Sequence, residues 1–162
     1  MASKIASFTL NDRETEALIK PLMTLQRLLR DNLGYTATKT GCRQGGCGGC
    51  TVLVDGEPMA SCLLPVEDVI GKEVTTLEGI TPDISLHPLQ ASFYENFATQ
   101  CGYCTPGMIV TSKALLDRNP DPSRQEIIDA LTGNLCRCTG YEPIIQAVED
   151  AASRMNGEEV GS

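Results

Sequence analysis

The chain opens on a regular alternation of apolar and polar residues. Residues 6–10 read ASFTL, with apolar side chains at every second position, which is typical of a half-buried strand. The Asn-Asp pair at residues 11–12 predicts a turn, and residues 14–19 continue as a second extended segment. The first twenty residues therefore predict a strand, a turn and a return segment.

Leucines then take over with a different period. They recur at intervals of three and four residues, as on one face of an amphipathic helix, at Leu22, Leu25, Leu28, Leu29 and Leu33. Gly34 follows at the position where a left-handed residue often ends a helix. We expect one helix here, packed across a small sheet.

The strand pattern returns after a loop rich in cysteine and glycine. Residues 51–54 (TVLV) predict a strand, Asp55-Gly56 is a strong hairpin signal, and the returning segment carries Cys62. Residues 73–77 predict a further short strand. These segments together predict a small mixed sheet with one helix across it.

The pattern changes again near residues 79–85, and the rest of the chain predicts helices. Four apolar stripes occur: Leu86, Leu89, Phe93 and Phe97; Met108, Ile109, Leu115 and Leu116; Ile127, Ile128 and Leu131; and Ile144, Ile145, Val148, Ala152 and Met155. Their ends are marked by Thr105-Pro106, by a Ser123/Glu126 capping box, by Pro143, and by Asn156-Gly157. We expect a four-helix bundle, with cysteines in two of its turns and one metal site at one end.

Eight cysteines form two quartets of different spacing. The first reads C-x4-C-x2-C-x11-C and consists of Cys42, Cys47, Cys50 and Cys62. The second reads C-x2-C followed much later by C-R-C and consists of Cys101, Cys104, Cys136 and Cys138. The first quartet opens with the spacing of plant-type ferredoxins, so iron-sulfur clusters are the favoured interpretation.

Disulfides and zinc are the alternatives. A disulfide scaffold is disfavoured because the first twenty residues contain charges and no secretory apolar run, so we expect reduced thiols in the cytoplasm. Zinc stays open, because the C-x2-C pairs Cys47/Cys50 and Cys101/Cys104 also occur in zinc sites. The C-x-C pair Cys136/Cys138 and the C-x4-C spacing of Cys42 and Cys47 favour iron-sulfur clusters over zinc.

The glycine-rich loop GCRQGGCGGC surrounds three of these cysteines. Its glycines can adopt positive φ and turn backbone amides toward cluster sulfurs; they are Gly41, Gly45, Gly46, Gly48 and Gly49. The helices that begin near Thr105 and Pro143 are expected to aim positive dipole ends at the second quartet. A phosphate-binding loop is the alternative, but the sequence lacks the terminal Gly-Lys-Ser/Thr of a P-loop and does not match G-x-G-x-x-G.

Composition narrows the range of functions. The chain has 162 residues, 41% of them hydrophobic, with a net charge of -8 and a pI near 4.6. An acidic chain without clustered Lys and Arg is not expected to bind nucleic acid. No run of about eighteen apolar residues occurs, so no membrane span is expected.

The motifs GCRQGGCGGCTVLVDG, QCGYCTPGM and GNLCRCTGY resemble those of the small iron-sulfur subunits of molybdenum hydroxylases of the xanthine oxidase family. Similar subunits serve carbon monoxide dehydrogenase, quinoline and nicotine dehydrogenases and 4-hydroxybenzoyl-CoA reductase. The resemblance implies an α+β protein, with a β-grasp (plant-type ferredoxin-like) domain over residues 1–80 and a helical domain over residues 81–162. It also implies two 2Fe-2S clusters, the first quartet lying nearer the flavin and the second nearer the molybdenum.

The resemblance further implies an electron-transfer subunit that is not catalytic alone. Its partners would be a large molybdenum-pterin chain, with molybdopterin as the cytosine dinucleotide, and a medium FAD chain, in a heterotrimer or a dimer of heterotrimers. Gln100 and Cys138 would contact the pterin; the alternative for Gln100 is a turn cap. His87 is expected at the surface or in a helix cap.

Two other functions stay open at this point. One is a free-standing ferredoxin-like carrier, and the other is a zinc-binding structural module. The substrate is not encoded here, so N-heterocycles, aldehydes, coenzyme A thioesters, nicotine-like alkaloids and carbon monoxide all remain open.

Overall fold

A computed structural model describes residues 3–81 and 85–157. In it, the first half of the chain folds into a five-stranded mixed sheet. Its strands, in chain order, are β1 (Lys4–Leu10), β2 (Arg13–Ile19), β3 (Thr51–Val54), β4 (Glu57–Ala60) and β5 (Glu73–Thr75). They lie in the order β2-β1-β5-β3-β4, and only β1 and β5 run parallel. The predicted mixed sheet is confirmed.

Both predicted hairpin turns have the backbone geometry that tight turns between twisted strands require. Asn11 and Asp12 have φ of 49° and 62°, and Asp55 and Gly56 have φ of 51° and 82°. Two successive positive φ values define the type I′ turn, which matches the right-handed twist of its strands. The second hairpin returns the chain to Cys62, as predicted.

The predicted leucine helix is shorter than expected and partly irregular. It comprises α1 (Leu25–Arg27), which continues as a π-helical segment (Leu28–Asn32). Leu22 lies outside it, 82% exposed and with φ of 60°, so the prediction was wrong at the helix start. The reason is the cap: the Thr24 hydroxyl accepts from the Arg27 N–H, which fixes the first turn after Leu22.

The strand predicted over residues 73–77 also ends early. Thr76 leaves the sheet because its N–H donates to Asn11 Oδ1 at 2.9 Å, and a short helix, α2 (Leu77–Ile80), begins at once. A 3-10 turn at Val66–Val69 was not predicted. Gly34 does take the left-handed conformation expected of it, with φ of 82°.

Helices form in all four segments where apolar stripes predicted them. They are α3 (Pro88–Glu95), α4 (Thr105–Arg118), α5 (Arg124–Leu131) and α6 (Glu142–Met155). The Ser123/Glu126 capping box is confirmed, with the Ser123 N–H donating to the Glu126 carboxylate at 2.7 Å. Cys104 occupies the N-cap position of α4 without a side-chain capping hydrogen bond, so Thr105 is the first helical residue and not the N-cap.

Helix α3 is shorter than its apolar stripe suggested. Leu86 and Phe97 lie beyond its ends and are 56% and 83% exposed, so both were wrongly placed in the core. His87 caps the helix and Pro88 begins it, which leaves Leu86 outside. Phe97 has φ of 53°, a left-handed conformation that carries its side chain away from the helix stripe.

Two hydrophobic cores and a small shared one hold the molecule together. One core lies between the sheet and α1, the second lies among α3, α4, α5 and α6, and the third joins Leu53 and Ile80 to Val110 and Ala114 of α4. Because α4 belongs to both the second and third cores, it ties the helices to the sheet. Among the described residues no helix is long and apolar enough to cross a membrane.

Candidate metal centres

The first quartet is assembled by the β3–β4 hairpin and the loop before it. Cys50 precedes β3 and Cys62 follows β4, and the cross-strand pair Thr51/Ala60 brings the two ends together. The Ser61 hydroxyl donates to the Cys50 carbonyl at 2.6 Å and fixes this contact. Both thiols are buried. Burial, together with the neighbouring Cys62 thiol, raises the pKa of Cys50 to about 11.

The other two thiols of this quartet lie in the exposed part of the loop. The Gln44 N–H donates to Cys42 Sγ at 3.3 Å, and the Cys42 N–H points at Cys47 Sγ at 3.5 Å. The Gln44 amide, followed by the Cys47 thiol, lowers the pKa of Cys42 to about 7. Backbone amides thus stabilise the thiolate form here, as expected of a loop that surrounds negatively charged sulfur.

The glycines of the loop do not all serve the same purpose. Only Gly45 and Gly48 have positive φ, at 75° and 68°, so the expectation of left-handed backbone is wrong for Gly41, Gly46 and Gly49. Gly41 is needed for space instead, because a Cβ there would lie 2.7 Å from Cys47 Sγ. The left-handed turn that remains is made by Arg43, with φ of 57°.

The second quartet lies in two turns between helices. Cys101 and Cys104 join α3 to α4, with Cys104 as the N-cap of α4, and Cys136 and Cys138 join α5 to α6. The Thr139 hydroxyl lies 3.1 Å from Cys136 Sγ, and the Thr139 N–H donates to the same sulfur at 3.5 Å. The α4 N-terminus therefore lies at the quartet, as predicted.

Thiols in this quartet alter one another's titration. Burial, followed by the neighbouring Cys136 thiol, raises the pKa of Cys104 to about 12. Burial also raises the pKa of Cys136, but hydrogen bonds from Thr139, Cys138 and Cys104 together outweigh it and leave that pKa lowered. The Cys101 thiol raises the pKa of Cys138.

The eight free thiols thus lie in four pairs. The largest thiol–thiol effects on the pKa values join Cys42 to Cys47, Cys50 to Cys62, Cys101 to Cys138 and Cys104 to Cys136, with weaker charge effects of Cys101 on Cys104 and of Cys136 on Cys138. Within the described ranges, no three Cys, His, Asp or Glu side chains converge closely enough to hold a single metal ion. In each quartet one pair is more exposed than the other.

The two quartets are joined by hydrogen bonds that the sequence did not predict. The Leu135 N–H donates to the Cys47 carbonyl at 3.0 Å, and Leu135 is bonded directly to Cys136. The Tyr103 hydroxyl donates to the Thr40 carbonyl at 2.7 Å. Tyr103 and Leu135 lie inside the cysteine motifs, and that position was the only sequence signal for their role.

Two other predicted residues have clear positions. Gln100 is exposed beside Cys101, and its side chain makes no hydrogen bond to any part of the chain that the structure describes. His87 caps α3: its Nδ1 accepts from the Leu89 N–H at 3.2 Å, and the Gln90 side chain accepts from the His87 N–H at 3.0 Å. The expected capping role of His87 is confirmed.

Known 2Fe-2S domains and proteins match this chain over both of its halves. Residues 1–95 match a 2Fe-2S iron-sulfur cluster binding domain, and residues 76–149 match a 2Fe-2S binding domain. The nicotinate dehydrogenase small FeS subunit of Eubacterium barkeri is 46% identical, over 91% of this chain and 94% of its own length. The aldehyde oxidoreductase of Megalodesulfovibrio gigas is 42% identical over 93% of this chain, which spans only 17% of that longer protein.

Solved structures agree with this assignment. A chain in the crystal structure of quinoline 2-oxidoreductase from Pseudomonas putida 86 superposes with a TM-score of 0.92 at 44% identity, covering 98% of this chain and 99% of that one. Two cysteine motifs, a mixed sheet and helices that carry the second motif define a 2Fe-2S protein. The chain belongs to the family of small 2Fe-2S subunits of molybdenum hydroxylases, and its role is electron transfer as part of a multi-subunit oxidoreductase.

Proposed function

We propose that this chain passes single electrons between a molybdenum-pterin centre and FAD, both held by partner chains, through two 2Fe-2S clusters. The first quartet (Cys42, Cys47, Cys50 and Cys62) would hold one cluster, and the second quartet (Cys101, Cys104, Cys136 and Cys138) the other. When bound, each cluster accepts and releases one electron at a time. The chain's own residues bind the clusters, shield them and connect them.

The pairing of the thiols fits this group. A 2Fe-2S cluster held by four cysteines has two irons, and each iron needs two thiolates beside the two sulfides that it shares. Four thiols in two pairs match that requirement in each quartet. A structural zinc ion instead needs four thiolates around one centre, which disfavours the zinc module.

One observation carries the relay function: the hydrogen bond from the Leu135 N–H to the Cys47 carbonyl. It connects Cys47 of the first quartet to Cys136 of the second through backbone atoms and a single hydrogen bond of 3.0 Å. A free-standing carrier with one cluster would have no use for such a connection. The contact therefore favours an internal relay over the ferredoxin-like carrier.

We infer from the exposure of the second quartet which end of the molecule faces a partner. Cys101 and Cys138 are exposed beside the exposed Gln100, whereas Cys104 and Cys136 are half-buried. This end of the molecule would face the pterin, with Gln100 and Cys138 as its contacts. Residues 96–116 and 130–141 contain no Asp or Glu, although the chain as a whole carries a net charge of -8. The segments that contain the second quartet thus carry no carboxylate of their own that would repel an anionic cluster and cofactor.

The finer features of the family complete the proposal. Residues 1–80 would form a β-grasp domain with the five loop glycines around its cluster, and residues 81–162 a four-helix bundle. A large chain with molybdopterin cytosine dinucleotide and a medium FAD chain would complete a cytoplasmic heterotrimer or its dimer. Relatives that are small subunits, and others in which the module is part of a longer chain, support such an assembly.

The test is to purify the protein with whatever chains accompany it and to record EPR spectra after dithionite reduction. We expect two distinct 2Fe-2S signals, together with a co-purifying large molybdenum chain and a flavin chain. A colourless protein, a single spin-active cluster or a 4Fe-4S signal would contradict the proposal.

The pterin contact has its own test. Gln100→Ala should leave both clusters assembled, because Gln100 is not a ligand, but should slow their reduction by substrate in stopped-flow experiments. Dithionite reduction of the same variant is the control and should not change. The substrate can be sought among N-heterocycles and aldehydes, since relatives are named for nicotinate, nicotine, quinoline and aldehydes. Unchanged substrate-driven rates, where the molybdenum-to-cluster step limits, would leave Gln100 without this role.

A further inference from the structure

A buried asparagine lies where the two cysteine quartets meet. Asn134 is 4% exposed, and both ends of its carboxamide are hydrogen-bonded. Its Oδ1 accepts from the Thr111 hydroxyl at 3.1 Å, and its Nδ2 donates to the Gly48 carbonyl at 3.2 Å. Thr111 belongs to α4, whereas Gly48 belongs to the cysteine loop. One side chain therefore joins the two halves of the molecule.

The backbone around this asparagine is packed so closely that two glycines have no room for a Cβ. A Cβ on Gly107 of α4 would lie 2.1 Å from the Gly48 carbonyl oxygen. A Cβ on Gly48, whose φ is 68°, would lie 2.5 Å from Asn134 Nδ2 and 2.6 Å from the Gly133 carbonyl oxygen. Glycine at both positions lets the loop rest directly on α4 and on the turn that holds Cys136 and Cys138.

Two adjacent hydrogen bonds result from this close approach. Asn134 donates to Gly48, and the next residue, Leu135, donates to the preceding residue, Cys47, at 3.0 Å. The Gly48 carbonyl also accepts from the Thr51 N–H and hydroxyl, at 3.1 and 2.8 Å. Asn134 is thus not needed to satisfy that oxygen. The Asn134 amide instead fixes the position of the cysteine loop relative to Leu135 and Cys136.

We propose that Asn134 is a positioning residue for electron transfer between the two clusters: its carboxamide holds Cys47 and Leu135 in hydrogen-bond contact and so sets the distance between the quartets. The inference rests on the proposed function. It predicts that removing the amide donor separates the two clusters without removing either.

The test uses the full-length protein isolated with its clusters and measures the magnetic interaction between them by EPR after full reduction. Dipolar coupling falls with the cube of the distance between the two clusters, so a small increase in that distance narrows the splitting of their EPR signals. Asn134→Asp places a carboxylate oxygen against the Gly48 carbonyl, and we expect a narrower splitting with both signals at full intensity. Electron redistribution between the clusters after partial flash reduction should slow in parallel.

Two further variants separate positioning from general stability. Thr111→Val removes the other hydrogen bond of the same carboxamide and should lower the urea midpoint while leaving the splitting unchanged. Gly107→Ala places a Cβ 2.1 Å from the Gly48 carbonyl oxygen and 3.1 Å from Asn134 Nδ2. It pushes the loop away while the Asn134 side chain is retained, and should narrow the splitting as Asn134→Asp does.

Three results would overturn the proposal. The first is an unchanged splitting in Asn134→Asp, and the second is an equal narrowing in Thr111→Val. The third is the loss of one cluster signal in both Asn134→Asp and Gly107→Ala, which would assign this junction to cluster assembly instead. If the wild-type protein lacked two 2Fe-2S signals, the proposed function itself would fail, and that outcome is read from the unmodified chain alone.

Discussion

The two cysteine quartets solve the same chemical problem on different scaffolds. Three cysteines of the first lie in a loop, residues 36–50, that contains no helix or strand and depends on glycine for space around sulfur, and the fourth, Cys62, follows β4. The second lies in turns whose flanking helices share a hydrophobic core. Both arrange four thiols as two pairs, one more exposed than the other. Thiol pairs and backbone hydrogen-bond donors are common to both sites, whereas the secondary structure around them differs. The comparison teaches that either scaffold can hold such a site.

The strongest way to break this comparison is to remove one ligand from each quartet. Cys62→Ala should abolish the first EPR signal and leave the second at full intensity, because Cys62 is paired only with Cys50 of its own quartet. Cys104→Ala is the matched variant and should abolish only the second signal. Survival of both signals in either variant would refute the assignment of that quartet.

Removing the iron should separate the two scaffolds. After chelation we expect amide hydrogen exchange in residues 36–50 to accelerate by about tenfold or more, because that loop has few backbone hydrogen bonds of its own. Amides of α4 and α6 should keep their protection, since their core consists of buried hydrophobic side chains, with Cys104 and Cys136 only partly buried against it. Equal loss of protection in both regions would show that the helices also depend on metal.

A methyl group tests how tightly the loop surrounds sulfur. Gly41→Ala places a Cβ 2.7 Å from Cys47 Sγ, so we expect reduced occupancy of the first cluster and a loss of about 1–3 kcal/mol in unfolding free energy. Gly46→Ala is the control, because nothing lies within 4 Å of its Cβ, and its cost should stay below about 0.5 kcal/mol. Iron content and urea titration measure both effects. Similar values for the two variants would contradict the role given to Gly41.

The smallest expected effect is a pH dependence confined to the helical half. Burial, with repulsion from Lys113, lowers the pKa of His87, which Asp117 only partly offsets. A neutral imidazole is needed to accept from the Leu89 N–H. The stability that this cap contributes, up to about 1 kcal/mol, is therefore fully present above the unfolded pKa of about 6.5. It is lost as the pH falls through the lower pKa of the folded protein.

His87→Asn keeps a capping acceptor that does not titrate. Helix unfolding in urea, followed by circular dichroism at pH 7.5 and 5, should show a smaller acid loss for the variant than for the wild type. Carboxylates titrate equally in both proteins, so the difference isolates His87. An identical acid loss would show that the cap tolerates protonation.

Local chemistry made much of this protein readable from its sequence. The Asn11-Asp12 and Asp55-Gly56 turns, the Ser123/Glu126 box and the four helical stripes each depend on residues within a few positions of one another. Short-range sterics and hydrogen bonds decide such features. The loop that holds Cys42, Cys47 and Cys50 is local in the same sense, and its spacing indicated the chemistry. The pairs Cys101/Cys138 and Cys104/Cys136 instead join two distant turns, which only the packing of the helices brings together.

Tertiary structure decided what local patterns could not. Leu22, Leu86 and Phe97 have the spacing of core residues, yet they are exposed. Leu22 and Leu86 lie before the caps that begin their helices, and Phe97 lies after the end of α3. The contact between Asn134 and Gly48 joins residues 86 positions apart, and no periodicity points to it. Such a junction exists only when two independently formed cores are packed together, because the partners of its hydrogen bonds come from different halves of the chain.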